Sequence, residues 1–229
     1  MKFDRSNTQP IGIQARQDSI LSTHSVLRNT YFLLSLTLLF SAAVAAYAMS
    51  IDAKSPGILI FLVGLFGLSF LVSSLRNSVW GIAAAFAFTG FLGYMLGPIL
   101  NMYIHTFANG SQIIMTSLGA TGFIFLSLSA YVLTTRRDFS YMGGFLFAGI
   151  MVAFLAGIAG MLFQIPMLQI VVSGAFALLS SGLILFHTSQ IIRGGETNYI
   201  MATVSIYVAL FNLFTSLLQL LSAFSGNRN

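Results

Sequence analysis

The sequence predicts an all-α membrane protein: a seven-transmembrane helix bundle with the C-terminal helix central. Three observations carry this. Of 229 residues, 57% are hydrophobic and only 7% charged, and the mean hydropathy is +0.90, well away from the composition of soluble domains. Apolar stretches follow one another along the chain, each near or above the ~20 residues that cross the hydrocarbon as a helix. The last of them, Tyr199–Ala223, carries a polar stripe that lipid would not tolerate.

Taken in order, residues 1–28 form a polar tail with Lys2, Asp4, Arg5, Pro10, Gly12, Arg16, Asp18 and His24. It lacks sustained periodicity and is expected to be largely flexible or frayed. No apolar segment with a cleavage site stands near the start, so the first span is expected to remain as an anchor. The membrane bundle is expected over residues 29–223, with a short tail over 224–229. The first span runs Asn29–Met49, and Pro56 opens a second that ends near Leu75, before Arg76. Trp80 is an interfacial anchor for a third, Val79–Tyr103. A fourth, Ile113–Thr134, is closed by Arg136-Arg137-Asp138, and a fifth runs Tyr141–Phe163. Pro166 precedes the sixth, Met167–Ile192, and Arg193-Gly194-Gly195-Glu196 links it tightly to the seventh.

Seven spans place the two ends on opposite sides. Alternate connections put Lys2, Arg5, Arg16, Arg28, Arg76, Arg136, Arg137 and Arg193 on one side and only Lys54 and Arg228 on the other. The positive-inside rule then predicts a cytoplasmic N-terminus and a C-terminus outside. In a chain this apolar, the net charge of +5 serves orientation and anionic headgroups, and nucleic acid is excluded as a partner.

Ser205, Asn212, Ser216 and Gln219 lie 7, 4 and 3 residues apart, on one side of a helix; the other side reads Ile206, Leu210, Leu213, Leu217 and Leu220. Unpartnered amides in hydrocarbon cost several kcal/mol each, which turns that stripe toward protein or trapped water. The alternative is a peripheral helix whose hydroxyls bond their own carbonyls, an escape open to Ser205 and Ser216 but poor for Asn212 and Gln219. Gly90, Gly93 and Gly97, and then Gly149, Ala153, Gly157 and Gly160, are small residues at helix-contact spacing. Pro98 after Gly97 reads as a hinge or as a passive kink. His187, the only ionisable residue within a span, reads as a proton-responsive switch or as an interfacial side chain bonded to a carbonyl. Glu196 pairs with Arg193, caps the seventh helix, or stays a solvated loop charge. There is no Cys, no metal-ligand cluster, no nucleophile–base pair and no acid within a span, so neither enzyme chemistry nor a cofactor is expected.

Gly90–Leu100 (GFLGYMLGPIL) and Ser205–Phe214 (SIYVALFNLF) resemble the Bax inhibitor-1 (transmembrane Bax inhibitor motif) family. Leu21–Thr37 (LSTHSVLRNTYFLLSLT), Tyr131–Arg136 (YVLTTR) and Gly194–Ile200 (GGETNYI) resemble its proteobacterial branch, and the likeness covers nearly all the chain beyond the first 20 residues. It implies a seven-helix inner-membrane bundle around the last helix, a periplasmic C-terminus, and partnership with the membrane-anchored ATP-dependent protease FtsH and its associated regulators. Proteins of that branch are slow substrates that restrain the protease, which engages them by the N-terminal tail. Other members leak calcium past two aspartates, with a basic partner near Arg76. The resemblance places His187 and Ala209 at those acidic positions, and a His with an Ala does not reproduce the divalent-cation site of two carboxylates.

Overall fold

The structure, a computed structural model, describes the backbone of residues 11–225, with side chains described from Ser25 onward. Lys2, Arg5, Arg228 and the end residues 1–10 and 226–229 lie outside the described part. Seven long helices follow in order: α1 (Ile11–Ser50), α2 (Ile58–Leu75), α3 (Trp80–Thr106), α4 (Gly110–Thr135), α5 (Gly143–Leu162), α6 (Pro166–Arg193) and α7 (Tyr199–Ser225). A single 3₁₀ turn, Ser140–Met142, leads into α5. Each of the seven contains a stretch long and apolar enough to cross a bilayer.

The helix ends follow from local chemistry. The chain leaves α1 through Asp52 at φ 48° and Gly57 at φ 90°, with Pro56 between them lacking an amide hydrogen. α4 stops where Arg136 turns left-handed at φ 51° and its N–H bonds the Val132 carbonyl. α6 opens on Pro166 at its first turn and closes on Gly194 at φ 73°, a conformation that costs glycine little. The start of α1 departs from expectation: residues 11–27, read as frayed tail, continue the helix. Gln, Ala, Arg and Leu are good helix formers and no proline stands between Pro10 and Pro56, so nothing local interrupts a helix already held by its span.

Helix α7 is the post. It packs against α1, α2, α3, α4 and α6, leaving α5 outside, against α6 alone among the helices. Burial on α7 runs all the way round: Ala202, Ile206, Ala209, Leu213 and Leu218 are each at most 2% exposed, and Phe224 alone among its described residues is exposed. The apolar side is therefore as enclosed as the polar stripe, because neighbours stand on every flank. By contrast α2 and α5 turn Leu59, Val63, Phe70, Phe145 and Val152 outward, as helices bordering lipid do.

The glycine rows account for the closest approaches. A Cβ on Gly93 would collide with the Ser41 carbonyl of α1, and one on Gly97 would stand 2.5 Å from the Ala48 methyl; Gly90 faces the Phe40 ring. On α5, Gly149 lies against Leu179 and Gly157 against Val172 of α6, and Gly160 also abuts that helix. Pro98 does not end α3, which continues to Thr106.

Candidate functional site

At mid-bundle the Tyr207 hydroxyl of α7 lies 2.5 Å from Ser41 Oγ of α1 and donates to the Thr89 carbonyl of α3 at 3.2 Å. Tyr207 has one proton to give, so Ser41 donates to it. Phe88 meets the Tyr207 ring edge-on and Phe211 stacks beside it, with ring centroids 6.5 Å away in both cases. One buried side chain thus ties three helices together. The sequence offered Tyr207 only as part of a motif; the missed signal was a residue with an apolar body and polar tip placed mid-span.

The predicted stripe is divided among different surroundings. Gln219 Oε1 accepts from Ser173 of α6 at 2.5 Å. Ser216 is buried, whereas Ser205 and Asn212 are half-buried. The Ser173–Gln219 pair and the short link after Arg193 set the antiparallel register of α6 and α7. His187 and Ala209 lie on these two adjoining helices. Ala209 is fully buried, and the His187 ring stands edge-on to Phe186 at 5.3 Å.

The arginine-rich end is knotted by its loops. Asn198 caps α7, its Oδ1 accepting from the Ile200 and Met201 amides at 3.0 and 3.1 Å, while its Nδ2 donates to the Arg76 carbonyl and to Asn77 Oδ1. Glu196 accepts from the Asn198 amide at 2.8 Å, so it supports the cap from outside the helix. Arg193 pairs with Asp138 at 3.6 Å, not with Glu196, and also donates to the Arg136 carbonyl. The left-handed turn at Gly194 carries the chain away from α6, leaving Arg193 beside the α4–α5 connection. Hydrogen bonds from Ser140 hold the Asp138 carboxyl below its usual range, with Arg193 adding to the effect. The Arg76 side chain is exposed. An Asn immediately before a periodic apolar run is a helix-start signal, so the Asn198 cap was available from sequence.

One turn or so inside this end lie buried hydroxyls on Thr30, Tyr31, Ser129 and Thr188, without protein partners among the described residues. They form a polar layer on α1, α4 and α6, inside the arginine-rich end. No Asp or Glu lies within any of the seven spans, and no cluster of metal-ligating side chains occurs among the described residues. The layer can accept water or a neutral hydrogen-bonding group; it offers a divalent cation no charge.

Residues 23–226 match the family model described as inhibitor of apoptosis-promoting Bax1. A relative named Modulator of FtsH protease YccA, from Escherichia coli strain K12, is 55% identical over 203 residues, covering 89% of this chain and 92% of the relative. The same identity and coverage hold for a protein named Inner membrane protein YccA in Escherichia coli O6:H1. An uncharacterised Pseudomonas aeruginosa protein is 50% identical over 202 residues, 88% of this chain and 90% of its own. With the family model covering the bundle from α1 to α7, the chain belongs to the Bax inhibitor-1 family.

Proposed function

We propose that this chain is a multi-pass protein of the bacterial inner membrane that modulates the membrane-anchored protease FtsH, of which it is itself a slow substrate. The observation that carries the reading is 55% identity, through 89% of the chain, to a protein named as a modulator of that protease. The N-terminus faces the cytoplasm and the C-terminus the periplasm, as the eight-to-two division of basic residues supports. The polar residues ahead of the first span give an ATP-driven pore something to grip in water. Beyond them stands a bundle pinned at its centre by Tyr207 and at its cytoplasmic end by Asn198, which resists being drawn out helix by helix. Slow extraction occupies the protease, and occupation restrains it. His187, Arg76 and the Ser205–Gln219 stripe belong in this reading to the fabric of the bundle, with no catalytic role.

The test is affinity capture of the tagged protein from gently solubilised membranes, together with turnover of a variant lacking residues 1–19. FtsH is expected among the captured proteins, and the truncated chain is expected to fold yet be degraded more slowly. Capture without the protease, or unchanged turnover of the truncated chain, would remove the proposal or the role of its tail respectively.

A further inference from the structure

Helices α1 and α4 both flank α7, yet among the described residues their backbones nowhere approach one another closely. The space between them is a cleft of about 430 Å³, within the usual range for small-molecule pockets. Its back is α7 and α3, including Tyr207, Phe214 and Leu100. Its rim is Ala42 and Ala46 of α1 and Leu118 of α4, all exposed, so it opens sideways from the bundle. At one end the Tyr31 ring of α1 stacks on Phe125 of α4 with centroids 5.9 Å apart, bridging the two helices. The other end reaches Met49, where Asn101 bonds both the Met49 carbonyl and Asp52.

We infer that this cleft holds one acyl chain of a membrane phospholipid, entering from the leaflet on the Asp52–Asn101 side. Its length fits. From Leu38 to Met49 α1 rises roughly 16 Å, at about 1.5 Å per residue, close to half of a hydrocarbon core ~30 Å thick. Its width fits too: 430 Å³ spread along that length makes a narrow channel. A methylene chain, with carbon contacts at about 3.5–4.0 Å, enters such a channel, whereas a helix about 10–12 Å in diameter does not. The room exists because Ala42, Ala45, Ala46 and Gly122 line it where larger residues would close it. Its lining is almost wholly apolar, so water gains few partners there, and an empty apolar void is costly in proportion to its volume. The headgroup then sits at the level of Asp52, Lys54 and Asn101, where the exposed Lys54 supplies a positive charge to a phosphate. The inference depends on the chain spanning a bilayer and is independent of any protease.

The experiment places the full chain in phosphatidylethanolamine–phosphatidylglycerol vesicles containing a phospholipid with a photoreactive diazirine in its acyl chain. After illumination, labelled peptides are mapped. Labelling is expected to concentrate on 42–49 and 114–125 at about one lipid per chain, above that on the outward faces of α2 and α5. A Cβ at Gly122 meets no atom within 4 Å, so Gly122→Phe fills the cleft from one wall, and Ala46→Phe does so from the other if the first variant fails to fold. Either is expected to cut cleft labelling several-fold and leave α2 and α5 labelling unchanged. Cleft labelling no higher than that of α2, or unmoved by the filling substitutions, overturns the inference. So does a polypeptide in the cleft, detected by cross-linking from Ala46→Cys in this otherwise cysteine-free chain.

Discussion

Tyr207 shows how much one side chain can organise when water is absent. Its hydroxyl bonds Ser41 and the Thr89 carbonyl at once, so removing the oxygen takes away the cross-helix partner of Ser41 and leaves the Thr89 carbonyl only its helical bond. Because polar bonds between membrane helices average ~0.6 kcal/mol and reach ~1.7, Tyr207→Phe is expected to lower unfolding free energy in mild detergent by about 1 kcal/mol. Ser41→Ala should cost less, and the double variant less than the sum, since the two share a bond; denaturant titration of all three checks this. Asp138 behaves differently. Its carboxyl is held below its ordinary range on folding, so its contribution is present above the unfolded carboxylate pKa and is lost as pH falls through the folded one. The stability difference between the wild type and Asp138→Asn should therefore be constant from pH 5 to 8 and shrink only below about pH 4. It should also be small, because both Asp138 and Arg193 are about half exposed.

At the scale of elements, the glycines separate those that permit contact from those that merely occupy a helix. Gly93 sits where α1 and α3 nearly touch backbone to backbone, whereas a Cβ at Gly119 meets nothing within 4 Å. Gly93→Ala is expected to destabilise by roughly 1–3 kcal/mol through overpacking. Gly119→Ala is expected to be neutral or up to about 1 kcal/mol stabilising, since it removes only backbone freedom. Thermal unfolding of the two purified variants makes the comparison. The spacing of Gly93 and Gly97 suggests a contact, but only the neighbouring helix shows what Gly93 meets and that Gly119 meets nothing. Helix ends were far more legible. Pro56, Pro166, Gly194 and the arginine clusters mark boundaries by local chemistry, and the observed helices start and stop within a few residues of the places so marked. The backward extension of α1 to Ile11 was not legible, because the polar segment has no apolar period to announce a helix already nucleated by its span.

Across the whole molecule, no carboxylate lies within any of the seven spans to attract a cation. Vesicles loaded with a calcium indicator and bearing the purified protein are expected to show no flux above protein-free vesicles between pH 5 and 8. A protein-dependent flux would instead assign the Thr30–Ser129–Thr188 layer a conducting role. The number of spans, the asymmetry of charge and the central place of the last helix were all determined by sequence, because they follow from local hydropathy and from the cost of exposing amides to hydrocarbon. The partner of each polar group was decided by tertiary structure alone. Gln219 meets Ser173, Arg193 meets Asp138 rather than Glu196, and Tyr207 rather than Asn212 holds the centre. Helical periodicity reveals which side of a helix a residue occupies, but the register between two helices is set by the packing of both, and no single helix carries that information.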